Sequence, residues 1–422
     1  MNKEYIFTEG CQYNKEEVPN HLPVSDYFSY NKITKKLTPT MCGIILTNDN
    51  NNYFFFPKGY LVNDNKKTAN LLLNVLKKYG YTQNKNIGFG ETEVNLEKSH
   101  FFSVVDWLIN DFFENDIYKE MEDIHEVNGK GRPLWAKTIK SKSPFISDKQ
   151  VFYPEILTNK RTFNDNYLIT QIHHNIIYEC LIRFGWIYGA SKNINPINLL
   201  IPIEQQTIVL KKKIRETNVS REIRLLKMLV EYLTESQSGL TSKFQILTSE
   251  FEYIWETMLQ EVFKNDNDLK TRLPRPYWLR NEFDGISYTS QRPDIIVQFK
   301  DVTMILDAKY YSISNSENVK TKYPGGPDII KQIFYRLTLE KKIGDKKLQN
   351  IFIFPRSVRN EQIQYLGKSS IEYFETDYGY IFAYALDIDM VMRAYVKNHY
   401  LHESLVRICE EVKTLSESNS NA

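Results

Sequence analysis

Two short apolar runs stand out in the C-terminal half of the chain: Ile295-Ile296-Val297-Gln298-Phe299 and Val302-Thr303-Met304-Ile305-Leu306, separated by Lys300-Asp301. Their length and their β-branched and aromatic content predict the two strands of a hairpin rather than a helix. Both faces of each run are largely apolar, which predicts a pair lying inside a sheet covered on both sides. A turn centred on Lys300-Asp301 pairs Ile295 with Leu306 and Phe299 with Val302. It also sets Asp294 opposite Asp307, with Cβ atoms roughly 5 Å apart. Lys309 lies two residues beyond Asp307 and shares its face.

Elsewhere the pattern is coarser. Residues 42–46 and 53–57 read as strands around a polar turn, 48–52, whereas 68–79, 101–121, 168–182 and 203–234 carry helical spacing. A helix over 251–259 precedes the hairpin, with Phe251, Ile254, Trp255, Met258 and Leu259 on one side. After the hairpin, Pro324-Gly325-Gly326-Pro327 opens a helix over 328–337, strands follow at 350–355 and 378–384, and 389–400 is again helical. Residues 251–400 thus read helix, hairpin, helix, strand, strand, helix: an α/β (mixed α+β) sheet flanked by helices. Glu235-Ser236-Gln237-Ser238-Gly239 is the best linker. It predicts an N-terminal region, 1–238, a C-terminal domain, 239–415, and a disordered tail, 416–422.

Composition narrows the function classes. Hydrophobic residues make up 42% and charged residues 25% of the 422, as in soluble globular proteins, and the net charge is +2, so any nucleic-acid surface must be local. The four cysteines, Cys11, Cys42, Cys180 and Cys409, lack metal-site spacing, which predicts a reducing compartment with neither disulfides nor a zinc cluster. No signal core and no membrane-spanning apolar run is present, and a cytoplasmic protein is expected.

Chemistry concentrates at the hairpin. Two carboxylates side by side repel, and one pKa must rise unless a cation lies between them. Mg²⁺ suits such a place, because it prefers oxygen and takes only one or two protein carboxylates. Lys309 could then orient or deprotonate a water, or stabilise charge on a phosphate. A structural ion pair, Asp307 with Lys309, is the alternative for the tripeptide alone, but Pro-Asp, a buried hairpin and Asp-Ala-Lys together are far more restrictive. Other signals are weaker. The Gly-rich basic stretch 128–140 could grip a phosphate backbone, although a turn with Trp135 packed into the core is the favoured reading. His173-His174 point to different faces of a helix and read as structural or surface residues. Lys211-Lys212-Lys213-Ile214-Arg215 reads as a solvated helix face. The Walker A pattern is absent.

Pro293-Asp294 followed by Asp307-Ala308-Lys309 resembles the PD-(D/E)XK nuclease signature. That resemblance implies phosphodiester hydrolysis, with Asp294 and Asp307 on a Mg²⁺ ion (Mn²⁺ could substitute), the Ala308 carbonyl as a further ligand, and Lys309 assisting the attacking water. A glutamate from the preceding helix often joins the metal site there; Glu256 best matches it, with Glu252 the fallback. In one branch of the superfamily a later helix carries a Gln and a Tyr that position DNA or the lysine, which implies Gln332 and Tyr335, although Gln-x-x-Tyr here is tighter than the usual Gln-x-x-x-Tyr. The Trp-Glu helix, Arg-Pro-Asp, Leu-Asp-Ala-Lys-Tyr and Pro-Gly-x-x-Asp-Ile-x-Lys-Gln together resemble the LlaJI-type restriction endonucleases. Gly43-Ile44-Ile45, Phe56-Pro57-Lys58-Gly59-Tyr60 and residues 131–139 also resemble that group and its McrC-like relatives.

This resemblance implies a type II-like endonuclease of a bacterial restriction-modification system, working beside a cognate DNA methyltransferase and cutting foreign or unmodified double-stranded DNA. It carries two alternatives: a McrC-like subunit inactive without an AAA+ GTPase, or a catalytically silent DNA-binding scaffold, whose mark would be a missing acid or lysine. The N-terminal region would serve DNA recognition or partner docking. Symmetric target sites would favour a homodimer.

Overall fold

The computed structural model describes residues 3–420 apart from 21, 48–50, 62–64, 86–94, 99, 148–149, 165–166, 190–193, 238–242, 272, 280–285, 290, 300, 312–322, 344–346 and 358–361. The chain forms two compact units, one of Met1–Glu97 with Phe244–Ala422 and one of Lys98–Lys243. The expected single N-terminal region, 1–238, is therefore divided. Its first part contributes strands to a sheet that also takes a strand from beyond residue 242, so those strands belong with the C-terminal part of the chain.

In the first unit that sheet contains β1 (Lys3–Thr8), β2 (Cys42–Thr47), β3 (Asn51–Phe56) and β4 (Lys243–Thr248), in the order β1-β3-β2-β4, with a short strand Asn95–Lys98 beside β4. β1 runs parallel and β2 antiparallel to β3. Phe7, Tyr27, Phe28, Ile45 and Phe55 pack on one face. Gly43 is a forced glycine: its φ is +142°, and a Cβ there would lie 2.0 Å from the Ile246 carbonyl oxygen. The helix α1 (Asn65–Lys85) follows and contains the expected 68–79 stretch.

The second sheet carries the chemistry. After α2 (Phe251–Val262) come β5 (Ile295–Phe299), β6 (Val302–Ala308), α3 (Gly326–Ile343), β7 (Lys347–Arg356), β8 (Ile363–Ser369), β9 (Ile381–Asp387), α4 (Ile388–Val396) and α5 (His402–Ser420). The strand order is β5-β6-β7-β9-β8, with β6, β7 and β9 parallel and the outer strands antiparallel to their neighbours. The hairpin register is the expected one, Ile295 opposite Leu306 through Phe299 opposite Val302. Its setting differs: β5 is an edge strand, not an inner one. Its outer ladder is covered instead by a turn, where Asn265 Oδ1 accepts from the Ile296 amide at 2.8 Å and the Asp266 amide donates to the Ile296 carbonyl at 2.8 Å. Ile296 and Ile305 pack beneath α3 against Tyr335 and Leu339.

Two further expectations change here. β8 was not foreseen; it is half-buried at the far edge and broken by a bulge between Tyr365 and Gly367, which erases the alternation. α5 runs to Ser420 through most of the expected tail, because Leu405, Ile408, Cys409 and Val412 give it a buried stripe.

The second unit contains the helices His100–Asn115, Leu168–Phe184, Ile203–Glu216 and Ser220–Gln237. The first stops short of the expected Met121, where Asp116 turns left-handed at φ 62° and the strand Glu120–Val127 begins. The expected 203–234 helix is two helices, since Thr217 leaves helical backbone at φ −103°, ψ 142°. The linker stretch is helical through Gln237, and Ser238-Gly239 lie outside the described residues. Glu120–Val127, Leu157–Asn164 and Arg132–Pro133 form a three-stranded antiparallel sheet. Trp135 is 52% exposed rather than packed in a core. His173 is structural: it is buried, its Nδ1 accepts from the Tyr118 amide at 3.0 Å, and burial pushes its pKa down to about 4.

Candidate active site

The site forms where β6 leaves the sheet. Its last turn-out of chain, Asp307-Ala308-Lys309, stays pinned to β7 because the Lys309 amide donates to the Ile353 carbonyl at 2.9 Å. Asp307 is 1% exposed. Asp294, one residue before β5, reaches across the hairpin end, and its Oδ2 accepts from the Ala308 amide at 2.9 Å. The two acids thus meet as the register requires. The Asp294 carbonyl oxygen is itself held twice, by Lys270 Nζ at 2.7 Å and by Gln260 Nε2 at 3.1 Å.

Burial, then the negative charges of Asp307 and Glu256, push the Asp294 carboxyl up to about 7. Lys309 Nζ lies 2.6 Å from Asp307 Oδ2 and 2.8 Å from Asp328 Oδ1. Burial alone would lower its pKa, but the two carboxylates outweigh that and raise it. Lys309 is therefore a firm cation in this arrangement, suited to orienting and to electrostatics more than to deprotonating a water. A second lysine faces the same acid: Lys331 Nζ, on α3, is 3.7 Å from Asp307 Oδ1.

Of the two acids expected on α2, Glu252 is exposed, while Glu256 is half-buried beside the pair. Burial raises the Glu256 pKa; Lys270 and Lys331 partly offset this, and its Oε1 accepts from Gln260 Nε2 at 2.8 Å. Gln332 is fully buried, and neither its Oε1 nor its Nε2 has a hydrogen-bond partner among the described residues. Tyr335 is 6% exposed, packed under the hairpin, with its ring 5.5 Å from Lys331 Nζ. Two cavities of about 440 and 730 Å³ lie elsewhere, both lined by His399 and Tyr400, and neither is lined by Asp294, Asp307 or Lys309.

Gln260, Lys270, Asp328 and Lys331 all touch the site. Helical spacing sets Asp328 on one face with Gln332 and Tyr335, whereas sequence reasoning did not single out Gln260, Lys270 or Lys331. Asp328 and Lys331 lie one helical turn apart and beside Gln332, a signal that was present in the spacing. Lys270 sits on the short helix Asn267–Thr271, where no pattern singles it out. Also missed was a buried anchor next to Lys309. The Tyr310 hydroxyl donates to Glu9 Oε2 at 2.7 Å and accepts from the Lys58 amide at 2.9 Å. Lys58 Nζ pairs with Glu9 Oε1 at 3.2 Å. Residues near the N-terminus thereby fix the segment that presents Lys309.

The family model for LlaJI restriction endonuclease matches residues 41–397. The Type II restriction enzyme BsuMI component YdjA of Bacillus subtilis (strain 168) is 27% identical over 443 residues, 99% of this chain and 93% of that protein. Among solved structures, a chain of the half-complex of Thermococcus gammatolerans McrB AAA+ hexamers with bound McrC is 13% identical and superposes with a TM-score of 0.33, covering 94% of this chain and 99% of that one. With the family match spanning most of its length, this chain belongs to the LlaJI restriction endonuclease family, the nucleases of restriction systems.

Proposed function

We propose that the chain is a Mg²⁺-dependent endonuclease with a PD-(D/E)XK core that hydrolyses phosphodiester bonds of foreign or unmodified double-stranded DNA. The observation that carries this reading is the meeting of Asp294 and Asp307 across the hairpin end, with Lys309 held on Asp307.

The residues present fit a divalent cation. Asp307 is buried, with Lys309 Nζ 2.6 Å from its Oδ2 and Lys331 Nζ 3.7 Å from its Oδ1. Asp294 is pressed against it with its pKa raised by burial and by the Asp307 charge, a pairing of carboxylates that a cation between them would relieve. No three acids or histidines are gathered into one metal-binding group among the described residues. Two carboxylates are enough for Mg²⁺, which keeps most of its waters. Asp294 and Asp307 would hold it, with the Ala308 carbonyl close by and Glu256 reaching it through water; Mn²⁺ would serve in its place. When bound, the metal lowers the pKa of a water and offsets phosphate charge.

The rest falls to the chain itself. Gln260 and Lys270 fix the Asp294 backbone, Asp328 fixes the Lys309 ammonium, and Lys309 holds Asp307 in place for the reaction. Gln332 and Tyr335 are positioning residues on the buried face of α3. Restriction of incoming DNA is cytoplasmic work, and no described helix is long and apolar enough to cross a membrane.

A second reading is favoured by the Bacillus relative, which is named as a component of a restriction enzyme. On that reading the nuclease acts only with a further subunit, such as an AAA+ GTPase, alongside a methyltransferase that protects the host. Incubating the chain with unmethylated circular duplex DNA and Mg²⁺, alone and then with neighbouring gene products and GTP, separates the two. Discrete fragments from the chain alone support the self-sufficient enzyme. Cleavage only in the second arm supports the subunit. In either arm Asp307→Ala is expected to lower cleavage at least ~10³-fold, and an Asp307→Ala protein that still cuts refutes the assignment.

A further inference from the structure

We infer that Lys331 is a second cation of the cleavage site, placed to meet the scissile phosphate, beside a Lys309 that is held on Asp307 and Asp328. This rests on the nuclease reading above and divides the labour within it.

The two lysines address the same carboxylate from its two oxygens, but they are tethered very differently. Lys309 is clamped between Asp307 at 2.6 Å and Asp328 at 2.8 Å, with its side chain 11% exposed. To reach a phosphate it would have to give up one of those two carboxylates. Lys331 makes one long contact, 3.7 Å to Asp307 Oδ1, and its side chain is 42% exposed. Its ammonium sits 5.5 Å from the Tyr335 ring, one helical turn on, which steers the long side chain toward the hairpin without occupying its hydrogen-bond donors. An anion arriving from solvent meets Lys331 first.

The helix explains why this position is available. Asp328, Lys331 and Tyr335 repeat at intervals of three and four on α3, so they share the face that looks onto Asp307. Asp328 faces the buried ammonium, Tyr335 fills the core, and Lys331 lies at the water-facing margin. A lysine so placed can gain a charge-assisted hydrogen bond to a phosphate oxygen. That bond strengthens as negative charge builds on the phosphate in the transition state. Asp307 keeps Lys331 near the site beforehand without satisfying it.

The test compares Lys331→Ala, Lys331→Arg and Lys341→Ala, the last an exposed lysine further along the same helix. Single-turnover cleavage in Mg²⁺ is measured for the chain with whatever subunit the wild type requires, and duplex affinity is measured separately in Ca²⁺. Lys331→Ala is expected to slow cleavage about 10²-fold or more, the usual cost of losing one transition-state donor, with affinity changed only a few-fold. Lys331→Arg should recover part of the rate, and Lys341→Ala should cleave as the wild type does. A Lys331→Ala protein cutting within about three-fold of wild type overturns the inference and leaves the nuclease reading intact. A weakened affinity with the saturating single-turnover rate unchanged overturns it too, since the lysine would then contribute uniform binding only. A wild type that cuts no duplex with any partner removes the nuclease reading, and this inference with it.

Discussion

Two antiparallel strand pairs of this protein make opposite use of the same backbone geometry. The β5–β6 hairpin is buried along nearly its whole length, while the ladder of Glu120–Val127 with Leu157–Asn164 is exposed along most of its first strand. In the hairpin, packing against α3 fixes the register, and a fixed register brings two acids from opposite strand ends to one place. In the ladder, cohesion comes from backbone hydrogen bonds and from cross-strand pairs such as Arg161 Nε with Asp123 Oδ1 at 3.2 Å. Such exposed pairs contribute little and specify register weakly. The lesson is that burial does two jobs at once: it makes a strand pair legible in sequence, and it fixes the register that brings Asp294 to Asp307.

The largest difference between the two pairs should appear on truncating an apolar side chain. Ile305 is fully buried, packed with Ile296, Tyr335 and Leu339. Ile305→Ala is expected to cost about 2–5 kcal/mol, through lost transfer energy and the cavity left behind. Denaturant unfolding measures this directly. A loss below about 1 kcal/mol would mean that the hairpin core can collapse around the gap, and the contrast with the ladder would fail.

A smaller effect, specific to the catalytic end of the hairpin, depends on pH. Asp294 is raised to about 7 from an unfolded value near 4. Between those values the folded protein holds a proton that the unfolded chain has released. The associated stability is fully present below about pH 4 and is lost as pH rises through about 7. Glu256, also raised by burial, acts in the same direction. Asp294→Asn should therefore match the wild type in stability at pH 4 and gain on it progressively to pH 8, read as a widening difference in Tm. Mg²⁺ should close that gap by stabilising the ionised wild type, and EDTA should reopen it. Parallel Tm profiles from pH 4 to 8 would show that Asp294 is ionised throughout and that the pair is already neutralised by the surrounding lysines.

The same contrast explains what could be read from sequence. The hairpin register, the meeting of Asp294 with Asp307 and the lysine beside them follow from strand periodicity, whereas the choice of Glu256 over Glu252 comes from the resemblance to PD-(D/E)XK nucleases. Asp328 and Lys331 were visible as helix neighbours of Gln332 but carried no mark of their partner. Glu9, Lys58 and Tyr310 were invisible as a group, because their contacts join distant parts of the chain through polar atoms, which leave no periodic trace. That network also changes the expected role of the N-terminal residues. Those up to Glu97 share one compact unit with Asp294, Asp307 and Lys309, apart from Lys98–Lys243. The exposed ladder went unread for a simpler reason: with water on both faces, Glu120-Met121-Glu122-Asp123-Ile124-His125-Glu126-Val127 has no need to alternate.

The smallest expected effect lies in the second exposed pair of that unit, Phe145–Ser147 with Gln150–Phe152, where Ile146 sits opposite Val151. Ile146 is 69% exposed and Val151 58%. Ile305 and Ile146 are the same residue type on antiparallel strands, so the pair isolates burial as the variable. Ile146→Ser removes a side chain already in water, and a surface change of this kind should alter stability by less than about 0.5 kcal/mol. Unfolding curves at two protein concentrations give the decisive reading. Superimposable curves for wild type and variant confirm a hairpin that contributes nothing to the core. A loss above about 1 kcal/mol that grows with concentration would mean that another copy of the chain covers Ile146 in solution, and the hairpin would then belong with the buried pair rather than the exposed one.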